Sequence, residues 1–298
     1  SMNPSRPVQN QRILVNFFEA HNVGHVIEAL HYCLCHHMAN PASRLAVLLN
    51  AAAPTELAEL APFIDTVYSV ELPGYPDATS DLTVADCLAA LHDVPRDWDY
   101  VVDNPRRHVK PHAEVVPGFA RYYEASDKYF RAGEARVIIG QDPPGYVPKQ
   151  HLHLTLPQDY RQRVRDRLSG GRPRIAILPG GSSERALYPS TASWELIMSS
   201  LGHRCPDASV VLVGKLEADG RTSTNIARSD VQRLKRAVPG VVDFFDVPLL
   251  EQLAAVELCD VFISPHSGLG MAALAVGTPW LTVSGGRWSE YFFNGVPF

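Results

Sequence analysis

The chain has 298 residues, enough for two domains of about 150 residues that can each bury a hydrophobic core. Apolar residues make up 46% of the chain and charged residues 20%, the balance of a globular protein in water. The formal net charge of −5 gives no reason to expect nucleic acid or an acidic membrane surface as a partner, and no apolar run approaches the roughly 18 residues of an integral membrane segment.

Cysteine usage and the first residues bear on the cellular compartment. The five cysteines are few, odd in number and mostly within apolar runs, so we expect reduced, buried thiols rather than a disulfide framework. No basic, apolar and small-residue signal segment opens the sequence. These two features predict a cytoplasmic protein.

Strand and helix patterns alternate through the first half of the chain. Apolar runs predict strands at 13–18, 45–49, 67–70, 100–102 and 137–139. Helical periodicity predicts helices at 23–38, 55–63 and 115–130. Near-continuous apolar strands separated by helices are typical of a parallel sheet that is covered on both faces.

A proline-rich stretch at 141–157 interrupts this alternation, and there we place the linker between two domains, 1–157 and 158–298. Further strands are predicted at 175–178, 210–213, 241–245, 261–264 and 280–283, and helices at 158–168, 193–201, 230–237, 249–259 and 271–276. The predicted fold class is α/β, with two tandem doubly wound, Rossmann-like domains. Ligands of such sheets bind at the carboxyl ends of the strands, so we expect the two domains to face a cleft.

The most informative segment is the turn at 265–270, which joins the strand at 261–264 to a helix of small residues. A strand that stops at a glycine-rich turn and opens a helix directs backbone N–H groups and the positive end of the helix dipole at one spot, which suits a phosphate. His266 and Ser267 add side-chain donors there, and Gly268 and Gly270 complete the turn. The alternative is an ordinary doubly wound turn that needs glycine only for its bend.

This segment resembles the C-terminal signature of nucleotide-sugar glycosyltransferases of the GT-B fold, nearest to the heptosyltransferase-like family. The Ser267-Gly268 pair, the alanine-rich helix and the Gly-Thr-Pro at 277–279 carry the resemblance. His266 stands where that family has an acid, and is similar to the His-x-Gly turn that natural-product glycosyltransferases place near the donor diphosphate. The resemblance implies an N-terminal acceptor-binding domain and a C-terminal donor-binding domain. GT-B proteins usually continue past this point, so we expect the sequence to be part of a longer chain.

A second candidate donor segment follows the first strand of the second domain. It contains Gly180, Gly181, Ser182 and Arg185. In the heptosyltransferase-like family a Pro-Gly turn here is followed by a basic residue that contacts the donor phosphates, and Arg185 is the candidate for that role; its alternative is a solvated loop residue. Lys215, at the end of the next strand, is a further candidate for a phosphate or ribose contact.

The loop after the first strand carries the candidate general base. The resemblance places a catalytic aspartate after a glycine at the start of the first helix, and this chain has Gly24-His25. An imidazole titrates near neutrality and accepts a hydroxyl proton, so His25 keeps the required chemistry. Asp103, at the end of a neighbouring strand, is the candidate acid that orients His25. His21 remains an alternative base, and helix capping or packing remains an alternative role for His25.

These features predict an inverting glycosyltransferase whose partners are a nucleotide-sugar donor and a small-molecule or glycolipid acceptor, with no metal or other cofactor. Histidines in place of two family acids favour a specialised-metabolite acceptor over a cell-envelope one. The alternative is a nucleotide-sugar epimerase or a non-catalytic sugar-nucleotide-binding protein with the same fold. We would expect an epimerase to carry acids at the second-domain turn, where this chain has His266 and Ser267.

Overall fold

We describe residues 11–18, 21–74, 81–104, 118–139 and 150–285 of a computed structural model. Two predicted segments lie partly outside these residues: the start of the helix at 115–130 and positions 141–149 of the linker. Among the helices in the described ranges, none is both long enough and apolar enough to cross a membrane.

The first compact unit is built on a five-stranded parallel sheet in the order β3-β2-β1-β4-β5. Its strands are β1 (Arg12–Phe17), β2 (Arg44–Asn50), β3 (Thr66–Val70), β4 (Tyr100–Asp103) and β5 (Arg136–Ile139). Its helices are α1 (Val23–Ala39), α2 (Thr55–Ala58), α3 (Val84–Ala90) and α4 (Phe119–Arg131). Leu14, Leu48 and Val101 of the central strands pack with Tyr122 and Phe130 of α4 in one core.

The second unit repeats this architecture in the order β10-β9-β6-β7-β8, again all parallel. Its strands are β6 (Arg174–Ile177), β7 (Ser209–Gly214), β8 (Val242–Phe245), β9 (Val261–Ser264) and β10 (Trp280–Thr282). Its helices are α5 (Gln158–Arg167), α6 (Thr191–Arg204), α7 (Arg228–Lys235), α8 (Leu249–Glu257) and α9 (Gly268–Ala275), with one 3₁₀ turn at Arg185–Leu187. The predicted α/β class with two Rossmann-like halves is confirmed.

Both sheets have a topological switch point beside their first strand. In the first sheet β1 pairs with β2 on one side and with β4 on the other. In the second sheet β6 pairs likewise with β7 and with β9. Connections leave the two sides of such a strand in opposite directions, which opens a crevice at its carboxyl end where ligands of α/β sheets bind.

The division between the two units follows Leu152, so residues 153–157 of the predicted linker belong to the second unit. The N–H of Leu154 donates to the carbonyl oxygen of Ala275 at 2.8 Å. Leu154 and Leu156 are both buried. Apolar alternation in this stretch therefore anchors it to the second unit.

Two helices differ from the prediction. Helix α2 ends at Ala58, although helical periodicity predicted a helix to position 63. Helix α3 was not predicted, because it is short and Cys87 is its only buried residue. A reciprocal capping box of Thr83 and Asp86 stabilises its start, and such a box satisfies two backbone N–H groups without an apolar pattern.

Candidate functional site

The turn after β9 opens helix α9 with a side-chain cap. Ser267 has an extended backbone conformation, and its hydroxyl oxygen accepts the N–H of Gly270 at 3.1 Å. An N-cap satisfies only one of the N–H groups that a helix leaves without an intrahelical acceptor, so the start of α9 retains its character as an anion site. Gly268 is the first residue of the helix and is half-buried.

His266 lies beside this cap and is half-buried. Its burial lowers the pKa of the imidazole to about 4. The ring is therefore neutral at pH 7, and it can offer a phosphate an N–H group but no positive charge.

We expect the lowered pKa of His266 to make the ligand-free protein less stable in mild acid. Between the ordinary imidazole pKa of about 6.5 and the folded value of about 4, the unfolded chain binds a proton that the folded chain does not, so the free energy of unfolding falls as the pH falls. Urea denaturation at several pH values should show a weaker dependence in His266→Gln. His203→Gln, which changes an exposed histidine of α6, is the control. Equal slopes in all three proteins would contradict the assignment.

The loop after β6 is held in place by two side chains and one backbone hydrogen bond. The indole N–H of Trp194 donates to the carbonyl oxygen of Pro179 at 2.8 Å, and the phenol oxygen of Tyr188 accepts the N–H of Ser183 at 2.8 Å. The N–H of Asn225 donates to the carbonyl oxygen of Gly181 at 2.9 Å. These contacts fix the backbone of the loop.

One of the two loop glycines allows close packing against Tyr188. A Cβ atom on Gly181 would lie 2.7 Å from the Tyr188 hydroxyl oxygen, so a side chain there would displace the phenol. A Cβ on Gly180 would make only ordinary contacts. Ser182 is exposed, and its hydroxyl is accessible to a ligand.

Tyr188→Phe is expected to destabilise the protein by about 1 kcal/mol, because the N–H of Ser183 loses its phenol acceptor. Urea denaturation measures this change in the free energy of unfolding. Tyr160→Phe is a matched control, since the Tyr160 hydroxyl has no hydrogen bond within the described part of the chain and its ring contact with Arg163 is kept. A loss of equal size in the two variants would show that the loop contact is not the cause.

Arg185 occupies the 3₁₀ turn that ends this loop, and its guanidinium is engaged within the protein. Its Nη2 lies 2.7 Å from Oδ2 of Asp230 and donates to the hydroxyl of Thr191 at 3.0 Å. Burial alone would raise the pKa of Asp230, but hydrogen bonds from Ala227, Arg185 and Thr191 lower it below its usual value. The Arg185 side chain is 49% exposed, so a bound phosphate can compete with this carboxylate for it.

Lys215 follows β7 directly and is mostly buried. Its Nζ lies 3.5 Å from the carbonyl oxygen of Asp246 and 4.0 Å from the carboxylate of Asp219. Asp246 was missed in the sequence. It has a positive φ of 63°, and its carboxylate accepts the N–H of Leu216 at 2.8 Å. Asp246 could have been identified as a candidate from the sequence, because it immediately follows the predicted strand at 241–245.

The predicted donor residues all lie in segments that follow the carboxyl ends of neighbouring strands in the second sheet. The three segments that carry them follow β9, β6 and β7, which are consecutive neighbours in the sheet. Asn225, in the segment after β7, bonds to the loop after β6, and was also missed in the sequence. The residues carried by these segments are Gly180, Gly181, Ser182, Arg185, Lys215, His266, Ser267, Gly268 and Gly270.

In the first unit, Asp103 ends β4 at the corresponding switch point. It is fully buried and lies opposite Asn16 of β1 in the strand register. The side-chain amide of Asn16 donates to Oδ1 of Asp103 at 3.0 Å. Asn16 was missed because it lies inside an apolar strand run. The orientation of His25 by Asp103 stays a prediction.

The two candidate bases differ in exposure. His25 lies in the first turn of α1 and is half-buried, whereas His21 is only 3% exposed. A base must reach the hydroxyl of its substrate, so this difference favours His25 over His21. Glu28, three residues after His25 in the same helix, is a buried acid that the sequence interpretation did not use.

No protein-family model and no curated protein sequence matches this chain. Solved structures do. A glycosyl transferase family 9 protein from Veillonella parvula has a TM-score of 0.66 and 14% identity, over 99% of this chain and 86% of that one. The E. coli ADP-heptose lps heptosyltransferase II has a TM-score of 0.59 and 15% identity, over 92% and 84% of the two chains. E. coli heptosyltransferase WaaC with ADP has a TM-score of 0.54 and 14% identity, over 93% and 88%.

At identities of 14–15% the comparison shows the fold alone. The motif at 267–279 predicted a likeness to heptosyltransferase-like glycosyltransferases, and these three solved structures are of that kind. The chain therefore has the GT-B fold of these glycosyltransferases, with two Rossmann-like halves.

Proposed function

We propose that the protein is a glycosyltransferase that moves a sugar from a nucleotide-diphosphate donor to an acceptor hydroxyl, with inversion and without a metal. The observation that carries this proposal is the pairing of β6 with β9 at a switch point, with a glycine-containing turn after each strand and a capped helix start after one. Such a crevice suits a diphosphate. A solved structure of the same fold holds ADP, which supports a nucleoside diphosphate as the ligand.

The proposed reaction is a direct displacement at the anomeric carbon of the sugar. His25, in its neutral form, takes the proton of the acceptor hydroxyl as the oxygen forms its bond to that carbon. The bond between the anomeric carbon and the diphosphate breaks at the same time, and the electron pair leaves with the diphosphate. Asp103 is proposed to orient His25.

The charge that grows on the leaving diphosphate is met by backbone N–H groups at the start of α9 and by cations. Arg185 would exchange its contact with Asp230 for the diphosphate, and Lys215 would lie nearby at the end of β7. His266 and Ser267 would supply neutral contacts.

The acceptor is proposed to be a small molecule or a glycolipid, in specialised-metabolite or cell-envelope glycoside synthesis in the cytoplasm. Histidine rather than an acid at positions 25 and 266 favours the specialised acceptor. The fold alone does not separate transfer from epimerisation, since one fold serves many activities.

A panel of nucleoside diphosphates and nucleotide sugars tests the proposal by thermal stabilisation. A ligand at 100 times its dissociation constant adds about 2.7 kcal/mol of stability. We expect at least one nucleotide to stabilise the protein equally with and without a chelator. Conversion of a stabilising nucleotide sugar in the absence of any acceptor would favour the epimerase, and a strict requirement for added metal would contradict the proposed mechanism.

A further inference from the structure

The indole ring of Trp280 lies against the first turn of α9. Trp280 is the first residue of β10, the edge strand that pairs with β9. A Cβ atom on Gly270 would overlap the ring atoms Cε2, Cζ2 and Cδ2 of Trp280. Gly270 is therefore needed because the indole approaches its Cα closely, and this approach sets how near the start of the helix comes to β10.

The same indole also holds the turn that precedes the helix. Its Nε1–H donates to the hydroxyl oxygen of Ser264, the last residue of β9, at 2.9 Å. That hydroxyl in turn donates to the carbonyl oxygen of Pro265 at 2.7 Å. Ser264 is fully buried, so the geometry of these bonds is shielded from water.

The hydroxyl of Ser264 connects this contact to the helix cap. It lies 3.5 Å from the hydroxyl of Ser267, which accepts the N–H of Gly270. Trp280 thus acts on both ends of the turn, through its ring at Gly270 and through its N–H at Ser264.

Burial alone does not account for a tryptophan at this position. Trp280 is only partly buried, and its neighbour Leu281 is 57% exposed in the same three-residue strand. The single polar atom of the ring is directed at the turn that carries the candidate phosphate contacts. Backbone N–H groups stabilise a bound anion much less when the residues that hold them in position shift.

We propose that Trp280 is a positioning residue of the donor site, which sets the place and orientation of the first turn of α9 for binding a nucleoside diphosphate. The inference rests on the proposed function, and adds to it a residue that does not itself touch the donor. It also explains why Gly270 cannot carry a side chain.

A double-mutant cycle tests this coupling in the full chain. Affinity for the nucleoside diphosphate that stabilises the wild-type protein best is measured by calorimetry in Gly270→Ala, Trp280→Ala and the double variant. We expect Gly270→Ala to weaken binding in the wild-type background and to have little further effect when Trp280 is alanine. For residues in contact the expected coupling is roughly 2- to 150-fold in the dissociation constant.

A second variant separates positioning from folding. Trp280→Phe keeps most of the ring and removes the N–H bond to Ser264, so we expect binding to weaken roughly 2- to 12-fold with most of the thermal stability kept. Leu281→Ala, on the same strand, should leave the affinity unchanged. We expect kcat at saturating donor to change less in Trp280→Phe than the donor KM.

The outcomes distinguish the two proposals. If the wild-type protein binds no nucleoside diphosphate of the panel, the proposed function and this inference both fail. If it binds one, and Gly270→Ala weakens binding equally in both backgrounds or Trp280→Phe binds like the wild type, only the positioning role of Trp280 is overturned.

Discussion

Replacing His25 by alanine is expected to slow sugar transfer by roughly 10²–10⁴-fold, the usual contribution of a positioned general base. The affinity for the donor should stay near that of the wild type, because the donor site is proposed in the second unit and His25 belongs to α1 of the first. Steady-state kinetics and calorimetry on the same samples measure the two effects separately. His92→Ala, which changes an exposed histidine of the first unit, is the control.

The pH dependence gives an independent check on the base. Only a neutral imidazole accepts a proton, so the wild-type rate should fall as the pH is lowered through the titration range of an imidazole. That fall should be absent from the residual activity of His25→Ala. If His25→Ala keeps its activity while His21→Ala loses it, His21 is the base. If both variants remain active, the base lies elsewhere, with Asp103 the next residue to test.

A bulky residue at position 268 is expected to weaken nucleotide binding sharply. Gly268 is the first residue of α9, where a side chain would obstruct the approach of a diphosphate to the backbone. Each hydrogen bond lost to a charged group costs about 1.5–3 kcal/mol, which is roughly 10- to 150-fold in the dissociation constant. We therefore expect Gly268→Leu to bind the nucleoside diphosphate at least about tenfold more weakly.

This loss should not reflect unfolding. Leucine has a higher helix propensity than glycine, and the position is half-buried, so the thermal stability of Gly268→Leu should be close to that of the wild type. Gly285→Leu is the matched control, because a Cβ atom on Gly285 would have no heavy atom of the described residues within 4 Å. Unchanged affinity in Gly268→Leu would show that the diphosphate does not approach the start of α9.

The strand pattern of this fold could be predicted because its strands are buried apolar runs that stop at polar or glycine-rich turns. Every predicted strand is present in the structure, and each helix that periodicity predicted has a counterpart. The capping box of α3 carries no such periodicity, so that helix was missed. Local sequence thus predicts the elements that bury a face and misses those held by caps.

The site was predictable only where a motif is contiguous. The residues of the turn at 265–270 predict an anion site without any knowledge of the rest of the fold. The contacts of Arg185 with Asp230 and of Asn16 with Asp103 join segments far apart in the chain. The contact of Trp280 with Gly270 is more local, but it too depends on how β10 packs beside the start of α9. Strand order arises from tertiary packing, so these pairs could not be inferred from spacing.

The hydrogen bond from Leu154 to Ala275 has a consequence for how the protein can be divided. Ala275 is the last residue of α9, so the C-terminal end of the helix that begins at the candidate donor turn is hydrogen-bonded to the segment ahead of α5. A fragment that starts at 158 would lose this hydrogen bond and the two buried leucines at 154 and 156. The burial of each leucine contributes about 1.5–3 kcal/mol to the free energy of unfolding. A fragment meant to fold as the second unit alone must therefore include residues 153–157.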